Sequence, residues 1–384
     1  IGDHPCFEQN QGLSVDWKER FEEPLEDRGL GIDGLISSAE MSHGIISAIT
    51  SYSVFENAIR HGMGHSVKEH LEYMAKIMTP FLKKAGDNPY TMFHTLPTAE
   101  TLKEVSVERP FLSIPYHRDF CAKEKVNMAA AVILTSQKKA GELGIPEEKR
   151  IYLHAHSGAM DRVMSERSAF DRSDAMQIAI DHLFKHSSLS IGDIDFFDIY
   201  SCFPSAVISA LEAMALSVDD PRPFTLTGGL PYFGGPGNNY SMHGIVEVVE
   251  KARETTDGFG LVLANGGMLS KAAAGVYSRA VPDGPWKAYD KRATQASIEA
   301  IPYPRAEVPF EGRATIESYA LNYGRGTPVS GIVFARPAGK QGTRTLAAVS
   351  GEDEATISLL QQDDVIGETG EMRLNGEFCV FSVA

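Results

Sequence analysis

Between residues 128 and 264, short apolar runs alternate with segments of helical spacing, and few architectures accept that order. The runs Met128–Thr135, Arg150–Ala155, Asp195–Tyr200 and Phe259–Ala264 read as strands, the first alanine-rich and suited to full burial. Helices are predicted over Ser136–Leu143, Ser173–His186, Ser205–Leu216 and Tyr240–Arg253. Gly144 closes the first of these with Pro146 beyond it, and Ser173-Asp174 caps the second, turning Ile178, Ala179, Leu183 and Phe184 inward. Such alternation predicts an α/β sheet covered by helices. Upstream, Ser66-Val-Lys-Glu69 is a capping box, with Leu71, Met74, Ile77, Met78 and Phe81 at helical spacing behind it. Pro80 and the cluster Gly86-Asp-Asn-Pro89 predict where that helix stops.

Beyond Pro282 the texture becomes Pro-rich (Val281-Pro-Asp-Gly-Pro285, Ile301-Pro-Tyr-Pro304), where a linker is expected, with a boundary near residue 305. Strand-like runs follow at Ala314–Asn322, Pro328–Arg336, Thr343–Val349 and Glu371–Val383, with one helix at Glu354–Gln361. This pattern predicts a small OB-like β-barrel. Residues 1–50 are polar and Gly-rich, with an acidic segment at Glu22–Asp27, and suggest no function.

With 384 residues, 43% of them hydrophobic, the chain can bury a large core without metal or disulfide staples. A net charge of −15 offers no field for nucleic-acid phosphates or an anionic membrane surface. Cys6, Cys121, Cys202 and Cys379 form no C-x-x-C pair, so neither a zinc ribbon nor a disulfide framework is expected, and a reducing cytoplasm fits. No apolar run reaches the roughly 20 residues that cross a bilayer, and the first residues lack a signal pattern. Opening on Ile1 rather than Met, the chain is expected either to lack its native beginning or to join pieces across a gap.

Open α/β sheets place ligands beyond the carboxyl ends of their strands. Three segments meet that rule: Tyr200-Ser-Cys-Phe203, the Gly-rich loop Thr227–His243 that runs into a helix, and Ala264-Asn-Gly-Gly-Met-Leu-Ser-Lys271. The Gly-rich loop allows backbone N–H groups to approach an anion or oxyanion, and equally it fits a tight turn that seats a helix on a sheet. It has neither P-loop nor dinucleotide-fingerprint spacing. His243 falls in the first turn of the helix if Asn238 or Asn239 caps it, where the dipole disfavours imidazolium. It reads either as a proton acceptor or as a packed histidine. Cys202 reads either as a nucleophile or as a small buried residue. His154 and His156 share a strand face but have no third partner for a metal, and no metal site is expected.

These three loops, in this order, resemble the thiolase superfamily over roughly residues 51–280, specifically its sterol-carrier-protein-thiolase-like branch. The family's His-Asp-Cys-Phe or Asn-Glu-Ala-Phe loop corresponds to Tyr200-Ser-Cys-Phe203, its Gly-Gly…Gly-His-Pro loop to Gly228–Pro236, and its Cys-x-Gly-Gly loop to Ala264-Asn-Gly-Gly267. Met128–Leu134 resembles the Gly-Ala-Ala-Ala strand of the family's N-terminal half. Claisen chemistry needs a nucleophilic Cys, a His that activates it and a second Cys as acid/base. Here Gly235 stands at the His position, Ala264 at the second Cys and Tyr200 at the Asn or His of the first loop. The match is best with thiolase-like proteins that carry an extra C-terminal domain, which corresponds to residues 305–384.

The resemblance implies a layered αβαβα fold: an N-terminal half with a helical insertion at 1–145, incomplete, a C-terminal half at 146–304, and the OB-like domain at 305–384. It implies an acyl-CoA or related thioester as substrate or ligand, no tightly bound cofactor, and an acyltransferase-like label with the usual catalytic positions replaced. If catalytic, His243 would be the base and Cys202 the thiol. The backbone of Gly235–Asn239, Gly237 and Asn238 included, with Asn265 would stabilise an oxyanion, and Tyr200, Ser201, Gly266 and Lys271 would complete the substrate site. The alternatives are a non-catalytic acyl-CoA or lipid carrier, and a partner of an active thiolase-type subunit. Homodimers are a further expectation.

Overall fold

The computed structural model describes residues 35–384 apart from 283, 285, 377 and 384. Cys6 and the acidic segment Glu22–Asp27 lie outside the described residues. In chain order the helices are α1 (Ser38–Ser42), α2 (Ala48–Gly62), α3 (Val67–Asp87), α4 (Gln137–Glu142), α5 (Asp174–Lys185), α6 (Pro204–Ala213), α7 (Tyr240–Glu254), α8 (Lys291–Glu299) and α9 (Glu354–Leu360). The strands are β1 (Phe111–Ser113), β2 (Tyr116–His117), β3 (Tyr152–Met160), β4 (Ile194–Ile199), β5 (Phe259–Gly266), β6 (Lys271–Ser278), β7 (Arg305–Ala306), β8 (Gly312–Gly324), β9 (Thr327–Pro337), β10 (Thr343–Ser350), β11 (Thr369–Asn375) and β12 (Phe378–Ser382).

The α/β region is built on one four-stranded sheet of order β3-β6-β5-β4, in which β4 and β5 are parallel and the other pairs antiparallel. Its strands are apolar on both faces because both faces are covered. Phe196 and Val262 meet Val248 and Ala252 of α7 on one face, while Phe197, Ile199, Leu261 and Leu263 join the main core on the other. Helix α6, buried on nearly every residue, lies in that core beside α2, α3 and α5. Among the described residues this single sheet stands for the stacked pair that two complete halves would have.

Five strands close a barrel in the order β8-β9-β10-β12-β11-β8, with β10 and β12 parallel and α9 between β10 and β11. This is the OB-like Greek-key arrangement the pattern predicts. The run Glu371–Val383 is two strands, β11 and β12, turning at Gly376 with φ +66°. Period-2 alternation splits the barrel side chains between two cores. Tyr319, Leu321, Val333, Ala335, Ala347 and Val349 fill the barrel, whereas Ala320, Ile332, Phe334 and Leu346 point outward into the main core.

Two expectations change and a third narrows. Helix α3 runs through Pro80, whose following turn is buried by Phe81, Leu82 and Ala85, and ends at Asp87 inside the predicted Gly86–Pro89 cluster. The bond that Pro80 cannot donate would have gone to the carbonyl of Lys76, and both residues lie on the exposed side of the helix. The Pro-rich stretch hides α8, capped by Asp290 and anchored by buried Thr294 and Ile298. Most consequentially, Met128–Thr135 is not a strand: it has no pairing partner, and Val132, Ile133 and Leu134 are 40%, 92% and 88% exposed. Apolar β-formers define a strand only when a neighbouring strand takes their N–H and C=O groups, and none of the described strands lies there.

Candidate functional site

The Gly-rich loop is organised by a residue that sequence reading passed over. Asp198, at the inner end of β4, is buried, and its Oδ2 accepts from the backbone N–H of Leu226 and Thr227 at 2.9 Å each. It also accepts from the hydroxyls of Thr225 at 3.2 Å and Thr227 at 2.9 Å. Four donors fix the chain as it enters the loop, and burial nonetheless holds the Asp198 carboxyl above its usual pKa. The loop then needs glycine twice: Gly228 (φ +116°) and Gly229 (φ +84°) adopt left-handed backbone against Ala85 and Phe81 of α3, where a Cβ would fall within 3 Å of a neighbour.

The first and third loops meet at Cys202. The side-chain amide of Asn265, at the end of β5, points Nδ2 at Cys202 Sγ (3.6 Å) and at the Tyr52 hydroxyl (2.7 Å), and Cys202 also hydrogen-bonds Tyr52. The Leu269 N–H donates to the same hydroxyl at 3.2 Å. Burial raises the Cys202 thiol to about 11, outweighing the lowering by Tyr52 and Asn265, so the sulfur is a protonated thiol at neutral pH. Asn265 Oδ1 is buried without a hydrogen-bond partner. Ser201 Oγ accepts from the Leu230 N–H at 3.3 Å, and the Tyr200 ring packs edge-on against Tyr240 at 5.3 Å, which brings the Gly-rich loop to the other two.

An extended strap crosses these loops. Ala122 N–H donates to the Cys202 carbonyl (2.9 Å), Lys123 N–H to the Leu230 carbonyl (3.3 Å), and Gly235 N–H returns to the Lys123 carbonyl (2.9 Å). From below, Arg167 donates to the carbonyls of Leu269 (3.0 Å) and Met268 (2.5 Å), and Arg344 of β10 in turn holds the Arg167 carbonyl at 2.6 Å. The barrel is thereby tied to the third loop through two buried guanidiniums.

A second buried polar chain adjoins Cys202. His70 Nε2 donates to Glu56 at 2.6 Å, Tyr116 donates to the other Glu56 oxygen at 2.5 Å, and Tyr116 and Ser205 share a hydrogen bond of 2.8 Å. Phe203 stacks on Tyr52 (4.5 Å between ring centroids) and leans on Tyr116 (5.1 Å). Tyr52 and Glu56, four apart on α2, carry this arrangement. Their helical spacing was the available signal, but a helix with Ser51, Ser53, Glu56, Asn57 and Arg60 all buried defeats the rule that polar faces look outward.

The predicted site residues divide accordingly. Tyr200, Ser201, Cys202, Asn265 and the buried glycines through Gly235 come together. His243, on α7, is buried beside Phe233, its Nδ1–H donating to the Asn239 carbonyl at 3.1 Å. Neither Asn238 nor Asn239 caps α7 with its side chain, since a 3₁₀ turn over Gly237–Asn239 leads into the helix instead. Gly237 and Asn238 are exposed, Gly266 is half-buried, and Lys271 is exposed at the start of β6. His154 is the extra residue of a bulge in β3, while His156 stacks on Trp286 at 5.0 Å. Among the described residues no group of His, Cys, Asp and Glu is placed to hold a metal, and no helix is long and apolar enough to cross a membrane. An open groove of about 670 Å³ lies on the outer side of α3, lined by Glu72, Lys76, Thr79 and Pro80 with Ala99 and Lys103, and none of the three loops lines it.

Comparison with known proteins follows this geometry. Residues 294–377 match the family model of the thiolase-like protein type 1 additional C-terminal domain, which includes most of the barrel. The solved structure of a monomeric SCP2-thiolase-like protein type 1 from Mycobacterium smegmatis is 35% identical, covering 91% of this chain and 75% of that chain with a TM-score of 0.82. Human mitochondrial 3-ketoacyl-CoA thiolase is 14% identical over 59% of this chain and 58% of that chain, with a TM-score of 0.44. The dimeric peroxisomal thiolase of Saccharomyces cerevisiae is 15% identical over 59% and 58%, also with a TM-score of 0.44. No curated protein matches the chain. A C-terminal barrel matching this family's additional domain, and 35% identity to a family structure over nine-tenths of the chain, make it a member of the SCP2-thiolase-like proteins of type 1, in the thiolase superfamily, with the additional C-terminal domain.

Proposed function

We propose that this protein binds an acyl thioester of the coenzyme A class at the three-loop site and retains it without forming a thioester on Cys202. The observation that carries this reading is the setting of the sulfur. It is buried, its pKa is raised to about 11, and among the described residues its side-chain partners are a phenol and an amide rather than an imidazole or carboxylate. Such a thiol is packed and hydrogen-bonded, not activated. Asn265, with an unpaired buried Oδ1 beside an Nδ2 donor, has one acceptor to offer a ligand N–H or O–H. Lys123 and Lys125, on and next to the strap, are the cations nearest in sequence to its contacts with these loops and would meet phosphate oxygens.

Equilibrium dialysis with radiolabelled acetyl-CoA tests this reading: saturable, reversible binding is expected, retained by Cys202→Ser. Binding should weaken about tenfold in Asn265→Ala, the cost of one hydrogen bond of roughly 1.4 kcal/mol. Absence of saturable binding overturns it. Acyl transfer is the second reading, favoured by His243, whose Nδ1–H is held by the Asn239 carbonyl at the end of the Gly-rich loop so that Nε2 is the nitrogen able to accept a proton. Covalent label mapped to Cys202, and lost in His243→Ala, would select transfer over retention.

A further inference from the structure

We propose that Arg109, Arg118 and Lys123, with the Tyr232 hydroxyl, form a seat for phosphoryl oxygens beside the three-loop site. Resting on the thioester reading just given, the seat makes a phosphorylated handle, rather than the pantetheine arm alone, the part of the ligand that is recognised.

Asp119 organises the seat. It is buried in a short 3₁₀ turn, Arg118–Phe120, directly ahead of the strap, and it faces both arginines through their Nε atoms, Arg109 at 3.0 Å and Arg118 at 3.6 Å. A guanidinium tethered at Nε keeps Nη donors for a second anion, and among the described residues the Nη groups of these two arginines have no partner. Lys123 joins them from the strap, where its N–H donates to the Leu230 carbonyl and its own carbonyl accepts from Gly235. Its half-buried ammonium lies 4.8 Å from the centre of the Phe93 ring and has no ion pair or hydrogen bond among the described residues. Burial holds this ammonium below its usual pKa, while Asp119 draws it up and Arg118 pushes it down, so the three cations share one carboxylate. In a chain of net charge −15, an anionic ligand needs such a local excess of positive charge.

The Gly-rich loop adds a donor with nothing to bond. Tyr232 is fully buried, its hydroxyl has no hydrogen-bond partner, and burial, Asp119 and Cys121 together raise its pKa. Buried hydroxyls are rarely left so, and an oxyanion held by the neighbouring cations supplies the missing acceptor. Planar forks, an ammonium and a phenol match a group with several charged oxygens, as a phosphomonoester or pyrophosphate has, better than a single carboxylate.

Isothermal titration calorimetry with pyrophosphate, acetyl-CoA and S-acetylpantetheine tests the seat. Pyrophosphate should bind saturably, and more weakly as salt rises. Arg118→Gln, at an exposed residue, and Lys123→Gln should each weaken pyrophosphate and acetyl-CoA about tenfold at an unchanged melting temperature. Tyr232→Phe loses no bond in the free protein, so it should keep the melting temperature and still weaken pyrophosphate about tenfold. S-acetylpantetheine, which has no phosphate, should bind about 100-fold more weakly than acetyl-CoA, and equally to parent and Arg118→Gln. Absence of saturable pyrophosphate binding overturns the seat, as does pyrophosphate binding that any of the three substitutions leaves unchanged. Acetyl-CoA binding that Arg118→Gln and Lys123→Gln leave intact overturns the seat and upholds the thioester reading. Pyrophosphate binding lost in the variants, without any binding of acetyl-CoA, upholds the seat and overturns the thioester reading.

Discussion

The chemistry of Cys202 is set by what surrounds it more than by the residue itself. A thiol raised from 9.0 to about 11 is stabilised by folding in its protonated form. Its contribution is complete below pH 9 and is lost as pH rises from 9 to about 11, so the protein should lose on the order of 2 kcal/mol over that window beyond other alkaline effects. Urea titrations at pH 8 and pH 11, in parent and Cys202→Ser, check this: the serine variant should lack that part of the pH dependence. Alkylation of Cys202, followed on its own peptide so that Cys121 and Cys379 do not interfere, should climb towards pH 11. Tyr52→Phe removes a hydrogen bond that lowers the thiol's pKa and should slow alkylation further at pH 9. Little of this was visible in the chain. Cys202 was found because it follows a strand, but its partners come from Tyr52, 150 positions earlier, and from Asn265, and only the fold brings the three together.

At the scale of elements, α7 reaches the sheet only because Gly244 has no side chain. A Cβ there would sit 2.7 Å from Asp198 Oδ1, the oxygen of that carboxylate that has no hydrogen-bond partner. Gly244→Ala should therefore shift α7 or the carboxylate and cost about 1–3 kcal/mol, against the small gain alanine usually brings a helix. Thermal melting reads the net effect, and an unchanged or raised melting temperature would contradict it. The elements best read from sequence were those with both a period and a cap: Ser66 and Ser173 do cap α3 and α5. Those misread were judged on a single cue. The prolines around α8 were taken as a linker, and the apolar content of Met128–Thr135 was taken as burial. A lone cue states what a segment tolerates, while its neighbours decide what it does.

For the whole molecule, the barrel is structurally part of the main core. Its outward side chains Ala320, Ile332, Phe334 and Leu346 lie in that core, Phe334 against Phe170 at 4.9 Å, and Arg344 reaches through to the Arg167 carbonyl. The surface that OB-like barrels often offer to ligands, on their second and third strands, is here largely spent on packing. Ending the chain at residue 304 should uncover this wall, at about 2 kcal/mol for each large apolar side chain exposed. The truncated chain should bind a hydrophobic dye and lose cooperative melting, and a sharp transition near the parent temperature would show the wall to be dispensable.

That shared wall also sets a timetable. Helix α2 is made early, yet its Asn57 donates to the Tyr319 carbonyl, 262 residues away, and its Arg60 to the Asp363 carbonyl, 303 residues away. At roughly 5–20 residues per second a ribosome needs about 15–60 s to deliver the second of these acceptors. Through that interval a buried helix waits with its guanidinium and amide only partly matched, by nearby acceptors such as the His65 and Ile114 carbonyls, so the nascent chain is a natural client for chaperones that shield such surfaces until the last strands arrive.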